Sequence, residues 1–206
     1  IGFGERDVGQ YSQMREVFGA NGAAPLYRRR MLEEIQMQEG EVFDQSIFLY
    51  GEDIDLDWRA RLLGWRCLYS PDAVGYHAYG ASGGGRQSSV RALMTANRYY
   101  TVFKHGFLFD VLTFNLPAFV GHILFMTLTE PRRSAATLAG ITSRTREIKY
   151  KRRWTASRRK LARRELHQWF VWSKQQCGQQ PAGYLQRFWS ERILKRFARQ
   201  TDSPVV

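Results

Sequence analysis

The segment 48–66, FLYGEDIDLDWRARLLGWR, constrains the fold of this chain more than any other stretch. Its apolar residues recur with the 3.6-residue period of a helix, and Gly64 is a suitable C-terminal cap. The segment therefore predicts a helix that starts at about Asp53. Ahead of the arginines it concentrates acid in a chain whose formal net charge is +12. The four carboxylates are Glu52, Asp53, Asp55 and Asp57.

Two explanations fit acidic residues at a helix start. Free backbone N–H groups and the helix dipole favour ionised carboxylates there, so Glu52 and Asp53 can simply cap the helix. A carboxylate that a helix start holds in place is also suited to accepting a proton. Residue type and position alone favour the capping role.

The first half of the sequence alternates segments typical of strands and of helices. Residues 1–20 are expected to form a loop, and a helix is expected from about Arg28 with Met31 and Ile35 on one side. The stretch EVFDQSIFLY and two parts of CLYSPDAVGYHAYG have the composition of strands, and after the flexible segment at residues 80–89 the chain is expected to be helical nearly to its end. The pattern predicts an α/β domain at residues 1–105 and an all-helical region at residues 106–206.

The charge is divided unevenly between these regions. Residues 1–110 contain fourteen acidic side chains, whereas residues 131–200 contain three, against nineteen Lys and Arg. A basic region of this kind predicts contact with a polyanion, either nucleic acid or an anionic membrane surface.

The most apolar run is residues 106–128, GFLFDVLTFNLPAFVGHILFMTL. Its length reaches the ~20 residues needed to cross a bilayer, but Asp110, Asn115 and His122 make crossing costly. The pattern favours two amphipathic helices that lie in the membrane interface, hinged near Asn115 and Pro117, over buried helices or a true span. The Trp residues among the following Lys and Arg suit the headgroup region.

Three stretches occur in a recognisable order: GANGAAPLYRR, then VFDQSIFLYGEDIDLDWRARLLGWRCLYSPDAVGYHAYGAS, then ANRYYTVFKHG. This order resembles the C-terminal half of the catalytic domain in family 2 glycosyltransferases, above all the rhamnosyltransferase-like members that build bacterial surface polysaccharides. The resemblance covers about residues 2–106. It implies an α/β fold with a partial GT-A, Rossmann-like sheet. It also implies inverting transfer of a sugar, with rhamnose as one option, from a nucleotide-sugar donor to a lipid-linked glycan.

The resemblance assigns roles to the acidic segment. Asp53 matches the general base, which removes the acceptor hydroxyl proton during inversion, and Glu52 is its partner in the Glu-Asp pair. Asp55 is expected to cap the helix or face solvent. Asp57 matches no acidic position of the family and receives no role.

Other site residues follow from the same resemblance. His77 matches a histidine that completes a divalent-metal site, for Mg²⁺ or Mn²⁺, on the donor diphosphate, although a histidine between strand aromatics is also common as a structural residue. Arg86, in the glycine-rich segment 80–86, is expected to meet phosphate or to lie in a surface loop.

The acceptor side has its own candidates. The backbone of one short loop is expected to approach the acceptor sugar closely, or else to form a simple turn before a strand. Its residues are Gly19, Ala20, Asn21 and Gly22. Trp65 could stack on a sugar ring.

The nucleotide-binding half of the family, with its Asp-x-Asp motif, has no counterpart in this sequence. We therefore expect a fragment that is inactive by itself, attached peripherally to the cytoplasmic face of a bacterial inner membrane. Two alternatives stay open: a nucleic-acid-binding module and a membrane-binding module without catalysis. No recognised nucleic-acid motif accompanies the basic helices, so we expect no nucleic-acid partner.

Overall fold

A computed structural model describes residues 8–38, 40–75 and 88–169. In this part the chain is mostly helical, with a single pair of antiparallel strands. Its contacts divide the chain into two compact units, Ile1–Arg163 and Arg164–Val206, and the predicted boundary between residues 105 and 106 lies inside the first. The elements are β1 (Arg15–Val17), α1 (Arg29–Glu34), α2 (Glu52–Leu62), β2 (Cys67–Tyr69), α3 (Ser88–His105), α4 (Leu108–Asp110), a π turn (Val111–Asn115), α5 (Leu116–Thr129), α6 (Pro131–Thr142), α7 (Thr145–Arg158) and α8 (Arg163–His167).

The α2 helix follows its predicted bounds closely. It begins one residue before Asp53, and Gly64 follows its end with a φ of 88°, a value that favours glycine. The chain enters the helix through Tyr50 and Gly51, both in the left-handed region with φ of 65° and 100°. The predicted helix from about Arg28 is also confirmed as α1.

The strand predicted at residues 41–50 is wrong, because these residues form turns. Their carbonyl oxygens accept hydrogen bonds from the side chains of Arg59, Arg144 and Asn97. Backbone groups satisfied in this way need no neighbouring strand. The acceptors are the carbonyls of Val42, Ser46, Leu49 and Tyr50.

The sheet in the described residues consists of β1 and β2, with Glu16 opposite Leu68. The expectation of a loop throughout residues 1–20 is therefore wrong at β1. Arg61 of α2 donates to Glu16 and to the carbonyls of Val17 and Phe18, which ties the strand to the helix. Two strands of three residues each do not amount to a GT-A sheet.

The helical layer is built around α3, which packs against α2, α6 and α7. Its inward face repeats every four residues at Ala92, Ala96 and Tyr100, all buried. Small residues let α6 come close, since a Cβ at Gly140 would lie 3.1 Å from that of Ala96. This face of α3 forms part of the core of the first unit.

Residues Leu108–Thr129 form one helix in which the π turn joins α4 to α5, so the predicted hinged pair of helices is wrong. The Asn115 side chain donates to the Asp110 carbonyl at 2.9 Å across the π turn. Pro117 lies in the first turn of α5, where its missing N–H costs little. The helix is long and apolar enough to cross a membrane, and only 6% of its most apolar window is buried within the protein.

Candidate functional site

A side chain of α3 forms hydrogen bonds to the turn that leads into α2. The Asn97 side chain donates to the carbonyls of Leu49 and Tyr50 at 2.9 and 3.0 Å, and its oxygen accepts from Arg144 at 2.7 Å. Asn97 is only 1% exposed, and its three hydrogen bonds are part-buried. The turn that leads into Asp53 is therefore held rigidly. The sequence motif ANRYY contains Asn97 but gave no indication of this role.

Asp53 lies half-buried in the first turn of α2, against the loop 19–22. The Gly22 N–H donates to its Oδ2 at 3.0 Å, and the Ile54 N–H donates to its Oδ1 at 2.8 Å. A Cβ at Gly22 would lie 3.3 Å from the Cβ of Asp53, which shows how closely the loop passes. Among the described residues no cation pairs with this carboxylate.

Asp57, one helical turn further along, contacts the same loop. The Ala20 N–H faces its carboxyl group closely enough to affect its pKa, and a Cβ at Gly19 would lie under 3.0 Å from its Oδ2. Burial raises the pKa of Asp57 to about 7; the Ala20 N–H opposes this shift and the charge of Asp53 adds to it. Its side chain has almost no exposure to solvent. The sequence offered no signal for this residue beyond its place in the acidic cluster.

The Tyr27 hydroxyl lies near these carboxyls, and it is buried without a hydrogen-bond partner in the described part of the chain. Glu52, the predicted partner of Asp53, also has a buried oxygen, Oε2, without such a partner. Burial, followed by the charges of Asp57 and Asp53, raises the pKa of Tyr27 well above its ordinary value. The Tyr27 hydroxyl thus leaves hydrogen-bonding capacity unused near Asp57 and Asp53.

Asp55 is fully buried, so the expectation that it caps α2 or faces solvent is wrong. It accepts from Arg59 at 3.1 Å and from His105 Nε2 at 2.8 Å, and it pairs with Lys104. Although burial opposes the shift, the charge of Lys104 holds the pKa of Asp55 well below its usual range. Burial lowers the pKa of His105 to about 4, which leaves its ring neutral at pH 7.

Asp55 belongs to a larger buried ion network. Lys104 also pairs with Asp44, which accepts from Tyr100 at 2.9 Å and from Lys151 at 2.5 Å. The network contains three acids and three bases, so the charges of its buried carboxylates are balanced by buried cations. The six residues are Glu41, Asp44, Asp55, Arg59, Lys104 and Lys151.

The remaining predicted site residues do not all come together. Asn21 is exposed in the loop, where its side chain accepts from the Ala23 N–H at 2.9 Å. Trp65 follows the far end of α2, roughly 15 Å from Asp53 at 1.5 Å per residue, and its ring N–H donates to Glu34 at 3.1 Å. The structure thus brings the loop to Asp53 but not Trp65.

The predicted metal ligand, His77, and the predicted phosphate ligand, Arg86, lie outside the described residues. Within residues 8–38, 40–75 and 88–169, no group of three or more His, Cys, Asp and Glu side chains could hold a metal ion. The described side chains by themselves therefore do not fit a metal centre.

Comparison of the chain with protein-family models, with curated proteins and with solved structures finds no match. Function must therefore be inferred from the site geometry and from the order of the sequence motifs.

Proposed function

We propose that this chain forms the acceptor side of an inverting family 2 glycosyltransferase in which Asp53 is the general base. The observation that carries the proposal is that the Asp53 carboxylate is half-buried at the start of α2 and accepts a hydrogen bond from the Gly22 N–H. No cation among the described residues occupies it. A carboxylate oxygen has more than one acceptor site, so Asp53 can still receive a proton from an incoming hydroxyl.

The reaction follows from that geometry. The acceptor hydroxyl oxygen attacks the anomeric carbon of the donor sugar, its proton passes to Asp53, and the bond to the nucleoside diphosphate breaks on the opposite face. The loop 19–22 presents backbone close to Asp53, where a sugar ring could approach. The proposed substrates are a nucleotide sugar, with rhamnose as the first donor to test, and a lipid-linked glycan of bacterial surface polysaccharide.

Two parts of the proposal rest on the motif resemblance alone. The first is that β1 and β2 form one edge of a GT-A sheet. The second is a divalent metal, Mg²⁺ or Mn²⁺, with His77 as the ligand from this chain.

A peripheral location at the cytoplasmic membrane face also belongs to the proposal. The helix Leu108–Thr129 exposes large apolar side chains and contributes little to the core. The Arg159 guanidinium lies 3.9 Å from the Phe107 ring centroid at one end of this helix, and Arg132 is exposed just beyond the other. An apolar helix with cations at its ends is suited to the interface of an anionic bilayer, where a lipid-linked acceptor is found.

The function is tested with protein expressed from the complete reading frame. It is incubated with dTDP-, UDP- and GDP-linked sugars and a lipid extract that contains the glycan acceptors. We expect nucleoside diphosphate release with one donor class, dependent on the acceptor. No release with any donor, together with binding of DNA or RNA that weakens steeply with salt, would show a basic nucleic-acid-binding module instead.

A further inference from the structure

Resting on the proposed function, we propose that Asp57 is a positioning residue for the acceptor. With Gly19 and Ala20 it clamps the loop 19–22 onto α2, so that the backbone of the loop lies beside Asp53. Neither the sequence motifs nor their family resemblance assigned Asp57 any role.

The first argument is the spacing of two carboxyls on one helix. Asp53 and Asp57 are four residues apart, so they project from the same face of α2. Asp53 accepts the Gly22 N–H of the loop at 3.0 Å, and the Asp57 carboxyl packs against Gly19 and faces the Ala20 N–H of the same loop. The loop is thus held at two points, by consecutive turns of one helix.

The second argument is the glycine at position 19. A Cβ there would lie under 3.0 Å from three atoms of the Asp57 side chain, so any other residue would have to displace the carboxyl or the loop. A Cβ at Gly22 would lie 3.3 Å from the Cβ of Asp53 and 3.4 Å from its Oδ2, which is close but not a clash of that kind. Gly19 therefore makes room for the Asp57 carboxyl, which a simple turn would not require.

The third argument is that Asp57 has no structural ion pair among the described residues. Arg61 lies close enough to lower its pKa, but the guanidinium donates to Glu16 and to the carbonyls of Val17 and Phe18 on β1. The other charged or titratable groups that face Asp57 are Asp53, Tyr27 and Cys67. Burying a carboxyl beside another acid costs stability, a cost typical of residues kept for function.

A clamp of this kind has a specific kinetic signature. It places the loop that meets the acceptor, but it contacts neither the donor nor the proton that is transferred. Loss of the clamp should therefore raise the KM for the acceptor and leave the donor KM and kcat nearly unchanged.

The test uses Asp57→Ala and Asp57→Asn in protein from the complete reading frame, with Asp72→Ala, at an exposed turn, as the control. Loss of the polar contact with the loop predicts a rise of about tenfold in acceptor KM for Asp57→Ala. Asp57→Asn, which keeps an acceptor oxygen, should lie between it and wild type. An unchanged acceptor KM, or a fall in kcat alone, would overturn the clamp.

A second readout does not depend on activity. Hydrogen exchange at the Ala20 and Gly22 amides should be slow in the wild-type chain and at least tenfold faster at Ala20 in Asp57→Ala, with Asp57→Asn between the two. Equal exchange in wild type and both variants would reject the clamp even if no sugar transfer were found. If transfer fails in the wild type while exchange changes as expected, the proposed function fails and the clamp stands as a structural feature.

Discussion

At the residue scale, the Asp57 carboxyl fills the space that a side chain at position 19 would occupy. We expect Gly19→Ala to lower the free energy of unfolding by about 1–3 kcal/mol, because the added methyl group overpacks the site. Gly75→Ala is the matched control, since a Cβ there would meet nothing within 4 Å. Urea unfolding of both variants measures the difference. Equal stability of the two variants would contradict the close contact.

The pKa of Asp57 makes a second residue-scale prediction. Because the folded pKa is raised to about 7 from 3.8, the folded state holds this proton where the unfolded state has lost it. The contribution of Asp57 to stability is therefore full below pH 4 and is lost as the pH rises through 7.

We therefore expect Asp57→Asn to gain stability relative to wild type as the pH rises from 5 to 8, by at least about 1 kcal/mol. Urea unfolding at the two pH values measures this change, and Asp72→Asn serves as the control with an exposed carboxyl. A constant difference between Asp57→Asn and wild type at both pH values would show that Asp57 is not buried as described. The same substitution should weaken acceptor binding, so stability and function are opposed at this residue.

At the scale of elements, buried charges join α2, α3 and α7. Lys104 lies between Asp44 and Asp55, and all three side chains are fully buried. Removing it would leave two carboxylates without their shared cation.

We expect Lys104→Met to lower the free energy of unfolding by about 3–5 kcal/mol, the range for breaking a buried ion pair from one side. Glu33→Gln is the control, because its partner Arg29 is 92% exposed and such surface pairs contribute less than about 1 kcal/mol. Both values come from urea titration at pH 7. A loss below 1 kcal/mol for Lys104→Met would mean that the network is not formed.

The same contacts show what the sequence could predict. Local periodicity set the bounds of α1 and α2, because those helices are specified by residues three and four apart. The pairing of Asp55 with His105 spans 50 residues, so no spacing rule could find it. Residues 41–50 have the composition of a strand, but their carbonyl oxygens accept hydrogen bonds from the side chains of Arg59, Asn97 and Arg144. In the candidate site, the motifs named Asp53 and the loop 19–22 as candidates, whereas the contacts of Asp57, Tyr27 and Asn97 became visible only in the tertiary structure.

At the scale of the whole molecule, the helix Leu108–Thr129 is apolar, yet few of its side chains are buried within this chain. Leu124 is 61% exposed on it. We expect Leu124→Ser to weaken flotation with phosphatidylglycerol-containing vesicles about tenfold, because inserting a leucine side chain contributes on the order of 1.5–3 kcal/mol.

Leu26→Ser is the control for that experiment, because Leu26 is 100% exposed but lies outside the helix. It should float like the wild-type protein. An absence of vesicle binding by the wild type, or an equal loss in Leu26→Ser, would remove the membrane interface from the account.

The central claim is that Asp53 accepts the proton of an incoming hydroxyl, and Asp53→Asn tests it most directly. In protein from the complete reading frame, this variant should lower kcat for sugar transfer by roughly 100- to 10,000-fold, with donor binding nearly unchanged and Asp72→Asn active as wild type. An Asp53→Asn variant that transfers sugar within a few fold of the wild-type rate would contradict the claim.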